Sequence, residues 1–175
     1  ASWSRGLGDV YKRQPIKRPP KILAIGLNYR AHAAESNMEI PKYPVVFTKQ
    51  ATAANGPYAP IHAPAETNLL DYEGELGMVI GKRCRRVSKA DAPKVVAGYC
   101  VLNDVSVREW QFLATPPQFT MGKSWDTHNP YGPAIVTPDE VDPHNLMLRT
   151  FVNGDLRQET NTDDLIFDCY DIIEF

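Results

Sequence analysis

Asp71-Tyr72-Glu73-Gly74-Glu75-Leu76-Gly77-Met78-Val79-Ile80-Gly81-Lys82 is the stretch from which the fold is best read. Leu76, Met78 and Ile80 alternate with Glu75, Gly77 and Val79, which is the period of a strand. On a strand Glu73 and Glu75 share a face, about 7 Å apart. Gly74 and Gly77 leave room beside them for another group to approach the backbone. Two readings stay open on spacing alone. The pair is either the acidic edge of a solvated strand, or two partly buried carboxylates that need a cation. A hard divalent ion with a preference for oxygen, such as Mg2+, suits the second.

Outward from this stretch, other short apolar runs read as strands. Toward the N-terminus lie residues 21–26 and Val45-Val46-Phe47-Thr48-Lys49, the latter expected to close at Asn55-Gly56-Pro57. Toward the C-terminus lie 98–107, 131–138 and 147–154, with Asn153-Gly154 marking a tight hairpin. Asp104 interrupts an apolar run, an anomaly that a cation shared with Glu73 and Glu75 removes. Helices are expected over 27–35, ending at Ser36-Asn37, over a short piece to Val96, and from Asp163 or Asp164 onward. Residues 116–126 read as a loop carrying Lys123, and 58–68 as a proline-punctuated loop with His62 on the surface. His32 and Glu35 are three apart, as are Arg108 and Gln111, so on a helix each pair shares a face. A carboxylate beside an imidazole fixes its tautomer and raises its basicity. Exposed helices carry such pairs without any chemistry.

At 175 residues, with 43% hydrophobic and 23% charged residues, the chain suffices for one domain with a core. A net charge of -2 argues against nucleic acid or an anionic membrane as partner. No apolar run is long enough for a helical membrane span. Cys84, Cys100 and Cys169 are odd in number and form no close pair, which fits neither a disulfide framework nor a zinc knuckle and suits the cytoplasm. Fifteen prolines, mostly between the expected strands, favour a β-rich body with stiffened loops. The domain is expected over 21–175 with a basic lead-in at 15–20. Residues 1–14 end in Asp9-Val10-Tyr11-Lys12-Arg13-Gln14, which translates GAT GTG TAT AAG AGA CAG, a transposase library adaptor. That segment is set aside as an assembly scar.

Together these pieces resemble the catalytic, C-terminal-type domain of the fumarylacetoacetate hydrolase superfamily. The carriers are Asp71-Tyr72-Glu73-Gly74-Glu75-Leu76; Leu102-Asn103-Asp104 with Arg108 and Gln111; 121–127 around Lys123; and Asn161-Thr162-Asp163-Asp164-Leu165-Ile166-Phe167. The resemblance implies an α+β, β-rich fold, a mixed-sheet roll that 175 residues leave incomplete at the C-terminus. It implies Mg2+, or Mn2+ or Ca2+, on Glu73, Glu75 and Asp104. It makes Lys123 catalytic, with His32 and Glu35 as a pair on a mobile segment, and it puts Arg108 and Gln111 against substrate. It implies a homodimer acting on a small 2-oxo or dicarboxylic acid.

The chemistry expected is hydrolytic C–C cleavage of an acylpyruvate- or fumarylacetoacetate-like substrate, with the cation stabilising enolate charge. His32 would take a proton from water, Lys123 would donate to the oxyanion, and Arg108 would pair with the substrate carboxylate. Isomerisation of a 2-hydroxyhepta-2,4-diene-1,7-dioate and decarboxylation of oxaloacetate draw on the same enolate stabilisation. A non-enzymatic alternative is an inactive metal-binding fragment.

Overall fold

The structure is a computed structural model, and it describes residues 14–175; the adaptor-like segment lies almost wholly outside the described residues. Among the described residues there are ten strands: β1 (Ile22–Gly26), β2 (Val45–Lys49), β3 (Ala54–Asn55), β4 (Leu70–Asp71), β5 (Gly74–Ile80), β6 (Val96–Asn103), β7 (Ser106–Val107), β8 (Asn129–Pro130), β9 (Met147–Val152) and β10 (Asp155–Asn161). The α-helices are short: α1 (Arg30–Glu35), α2 (Arg108–Gln111), α3 (Phe119–Lys123) and α4 (Cys169–Glu174). The strands pair two by two: β1 with β2, β3 with β8, β4 with β7, β5 with β6 and β9 with β10. The β3–β8 pair is parallel, whereas β4–β7 and β9–β10 are antiparallel. The architecture is thus mixed and rich in strands, as expected. Among the described residues no helix is long and apolar enough to cross a membrane.

The chain divides into two compact units, one from residues up to Ala24, Phe47–Gly77 and Cys100–Ala134, the other from Ile25–Val46, Met78–Tyr99 and Ile135–Phe175. In the first unit, a 3-10 turn (Ala51–Ala53) and β3 come between β2 and the turn expected at Asn55-Gly56-Pro57, where Ala59 N–H donates to Gly56 O at 3.1 Å. Its interior is unusually polar. Alongside Ala53, Val105 and Val107 it buries Lys49, Asp104, Ser106, Gln111, Lys123, His128 and Asn129. A buried polar group is tolerable only when its hydrogen bonds are made, so such an interior signals a built site.

In the second unit, the β9–β10 hairpin turns at Asn153 and Gly154, whose φ angles of 53° and 91° are those of the mirror-image turn favoured by Asn-Gly. The register shifts between Leu156 and Gln158, a bulge in β10. α1 begins at Arg30, later than expected, because Leu27 has φ 48° and Tyr29 forms a bridge to Leu165. It ends as the polar break at Ser36-Asn37 suggests. Asn37 enters the left-handed region at φ 51°, and Met38 N–H reaches back to Ala33 O at 2.9 Å, closing a Schellman motif.

Three expectations fail here. Residues 131–138 form no regular strand, only isolated bridges at Tyr131 and Val136, since Pro133 and Pro138 cannot donate to a ladder. Residues 116–126 are not all loop, because α3 lies within them. The C-terminal helix is capped by Asp168 rather than by Asp163 or Asp164. The Asp168 carboxylate accepts from Tyr170 and Asp171 N–H, and Asp171 reciprocates.

Candidate active site

The first unit gathers its charged residues around Glu73. The strand expected from the opening stretch is β5, but it starts at Gly74, leaving Glu73 just before it. The backbone there is tied to the end of β6: Asp104 N–H donates to Glu73 O at 2.8 Å, and Glu73 N–H to Asn103 Oδ1 at 3.1 Å. β6 stops at Asn103 and β7 resumes at Ser106, so Asp104 occupies a break between strands instead of a strand interior. That break explains how an aspartate is placed inside an apolar run.

Lys123 Nζ lies among these groups. It donates to Glu73 Oε2 at 2.6 Å and Ser106 Oγ at 2.7 Å, and pairs with Asp104 Oδ2 at 3.0 Å. All three of its donor directions are thus used. The ammonium also stands 5.6 Å from the centre of the Phe47 ring. Its placement depends on Gly122. A Cβ there would come 2.7 Å from Gln111 N and 2.8 Å from Gln111 Cα, so α3 rests directly on the backbone of α2.

Arg108 makes four hydrogen bonds through its guanidinium fork. Nε and Nη2 donate to Asp71 Oδ2 at 2.9 and 2.7 Å, and Nη1 donates to Glu73 Oε1 at 2.6 Å and Gln111 Oε1 at 2.8 Å. The expected Arg108–Gln111 juxtaposition on one helical face is therefore present. Glu109 holds α2 from the other side, accepting from Thr67 Oγ1 at 2.7 Å and Asn68 N–H at 2.8 Å.

Lys49, Asp71 and Ser106 also belong to this network, though the sequence assigns a role to none of them and only Asp71 falls in a family motif. Lys49 is buried at the end of β2 and pairs with Asp104 Oδ1. Burial lowers its pKa, with Asp104 pulling the other way. A lysine closing a β-branched strand reads as a solvated end; only the fold turns it inward.

Glu75 has no comparable partner. Burial, reinforced by the charges of Glu73 and Asp104, pushes its carboxyl up to about 8, with only Lys123 opposing. Among the described residues no group of three or more His, Cys, Asp and Glu side chains is disposed to hold a metal ion, and cations of the chain itself stand between the carboxylates. The donor chemistry nonetheless fits one. A half-buried carboxyl beside two further carboxylates is an arrangement that a hard cation relieves. Asp71, Glu73, Glu75 and Asp104 face Lys49, Arg108 and Lys123, leaving one negative charge in excess, which the raised Glu75 cancels by keeping its proton at neutral pH.

His32 and Glu35 belong to the second unit. His32 Nδ1 lies 4.0 Å from Glu35 Oε2, and both side chains are exposed, at 61% and 85%.

Comparison with known proteins agrees with the resemblance drawn from the motifs. The fumarylacetoacetate (FAA) hydrolase C-terminal family matches residues 21–175. Oxaloacetate tautomerase fahd2, mitochondrial, of Xenopus laevis is 46% identical over 154 residues, covering 87% of this chain and 48% of that protein. The crystal structure of 5-carboxymethyl-2-hydroxymuconate delta-isomerase from Mycobacterium smegmatis superposes with a TM-score of 0.83 at 41% identity, covering 93% of this chain and 63% of that one. Fumarylacetoacetate hydrolase from Exiguobacterium antarcticum gives a TM-score of 0.83 at 37% identity, with 93% and 58% covered. The chain spans about half the length of the curated relatives it matches, 48% and 51% for two oxaloacetate tautomerases. With motifs, fold and family match in agreement, the chain belongs to the fumarylacetoacetate hydrolase C-terminal family.

Proposed function

We propose that the full-length protein is a divalent-cation-dependent enzyme acting on small 2-oxo acids, and that keto–enol isomerisation is the reaction its site supports best. The observation that carries this reading is the cluster of buried Asp104 with half-buried Glu73 and Glu75, laced with Lys123 and Arg108, in one compact unit. The names of relatives point the same way, an oxaloacetate tautomerase at 46% identity and a hydroxymuconate isomerase at 41%. Hydrolytic C–C cleavage remains the second reading, supported by the likeness to a fumarylacetoacetate hydrolase at 37% identity.

Glu73, Glu75 and Asp104 are the residues that would hold Mg2+, with Mn2+ or Ca2+ as substitutes. Bound there, the ion would supply a Lewis acid toward the oxygens of a 2-oxo acid. Were Glu73 to serve as a ligand of the ion, Arg108 would keep its Asp71 contacts and Nη1 would be free to pair with a substrate carboxylate. Gln111, bonded to the same nitrogen, orients that donor. Lys123, held by Ser106, donates to the oxygen on which enolate charge grows. For His32 the family resemblance supplies the role of base toward the carbon beside the carbonyl, with Glu35 Oε2 4.0 Å from its Nδ1. With the ion bound and Glu75 ionised, the cluster of four carboxylates and three cations carries one net positive charge, matched to an anionic substrate.

A homodimer and a cytoplasmic location complete the reading, although the curated tautomerase relatives carry "mitochondrial" in their names. Decay of enol-oxaloacetate absorbance, followed with Mg2+ and after chelation, tests the central claim. Acceleration that chelation abolishes is expected. Equal rates with and without chelator would remove the metal from the mechanism, and no acceleration in either condition would remove the tautomerase reading.

A further inference from the structure

The segment Asn161-Thr162-Asp163-Asp164-Leu165-Ile166-Phe167 is one of the stretches that carry the family resemblance, and the chemistry above assigns it no task. In the second unit it is bound, bond after bond, to the root of α1. Asn28, only 7% exposed, donates from Nδ2 to Phe167 O at 2.9 Å and accepts from Phe167 N–H at Oδ1, also at 2.9 Å. Ile166 N–H donates to Asn28 O at 2.8 Å, and Tyr29 bridges Leu165. One step further, Ala31 N–H in the first turn of α1 donates to Asp164 Oδ2 at 2.9 Å. Asp164 thus caps the helix from 133 positions away in sequence.

Packing contributes little to holding α1. Ala33 is its one buried residue, and a helix of six residues is marginal without tertiary support. An open groove of about 420 Å3 lies beside the anchor, lined by Arg30, Thr162, Leu165 and Ile166 among others. The bracket itself is stiff. Asn161 caps the 3-10 turn that contains Asp164, and buried Thr162 accepts from Leu146 N–H at 2.8 Å. A rigid bracket joined to a helix with almost no buried face sets that helix's direction through hydrogen bonds.

We infer that Asp164, seconded by Asn28, is the positioning residue for the His32–Glu35 pair, fixing the helix that carries both. The inference rests on the catalytic role proposed for His32, and the test separates the two. Hydrogen–deuterium exchange is measured on the protein and on its Asp164→Ala and Asp164→Asn variants, comparing residues 30–35 with the β9–β10 hairpin as internal reference. Turnover of enol-oxaloacetate and Mg2+ affinity are measured on the same samples, with His32→Ala alongside.

Loss of the cap in Asp164→Ala should speed exchange over residues 30–35 about fivefold or more, leaving the hairpin unchanged. It should lower kcat by a similar factor without altering KM or Mg2+ affinity. Asp164→Asn keeps an oxygen acceptor and should stay near the parent in every readout. Unchanged exchange over 30–35, or equal acceleration in the hairpin, overturns the anchor. Local acceleration with unaltered kcat overturns the positioning role if His32→Ala is impaired. If His32→Ala is as active as the parent, or the parent itself shows no turnover, the catalytic assignment and the positioning role fall together, while exchange still decides the anchor.

Discussion

Replacing Glu75 by glutamine isolates the one carboxyl in the cluster that has no full counter-charge. In the folded protein this group holds its proton up to about 8, against an ordinary 4.5, because burial and the charges of Glu73 and Asp104 outweigh Lys123. Between those two values the folded state binds more protons than the unfolded state, so stability falls as pH rises. The contribution is intact below about pH 4.5, declines through neutrality and reaches its full deficit above about pH 8. At about 1.4 kcal/mol per pH unit the ceiling is about 5 kcal/mol. Relaxation around the ionised group brings the measured loss to a few kcal/mol.

Urea unfolding of the parent and of Glu75→Gln, followed by tryptophan fluorescence from pH 5 to 9 with chelator present, reads this directly. Lys49 and the other titrating groups are common to both proteins, so the difference between the curves reports Glu75. The variant should become the more stable of the two as pH rises toward 8, and millimolar Mg2+ should restore the parent at high pH while doing less for the variant. A parent-minus-variant difference that is flat with pH would refute the argument that Glu75 is buried against like charge. A slope present with chelator but unmoved by Mg2+, Mn2+ or Ca2+ would leave the burial standing and remove the cation site.

Three further outcomes follow from the geometry. Gly122→Ala drives a methyl to 2.7 Å from Gln111 N and 2.8 Å from its Cα, and should cost about 1–3 kcal/mol in urea unfolding because backbone must yield. Arg108→Lys keeps the charge but cannot span Asp71 and Glu73 together, so KM for oxaloacetate should rise about tenfold or more with Mg2+ affinity near the parent's. Lys123→Met should lower kcat about 100-fold. A change confined to KM would reassign this lysine to substrate binding.

Much of this was legible before any coordinates. β2 occupies the residues its β-branched run suggested, and Asn153-Gly154 marked the hairpin, because both signals are local. The carboxylates, Lys123, Arg108 and Gln111 were named through family motifs and do lie in one unit. What escaped was non-local. Five residues of α3 carry no measurable periodicity, and their order comes from the contact of Gly122 with Gln111. Lys49 closes a β-branched strand and Asp71 opens the acidic motif, and neither position reveals a partner until Asp104 and Arg108 stand opposite them. The cap of α4 was misplaced because its box closes with Asp171, where the familiar sequence signature has Glu or Gln.

The mutual pairing of Lys49, Arg108 and Lys123 with acidic neighbours has a consequence for how such a protein matures. In zinc-finger-like domains the ion is the keystone, and the chain has no fold to speak of until it arrives. Here lysine and arginine keep most of the acidic groups company from the outset, so folding need not wait for a metal. On the proposed reading, loading would then be a late and reversible exchange with the surrounding pool of ions, and supply of magnesium would set activity without deciding whether the polypeptide survives.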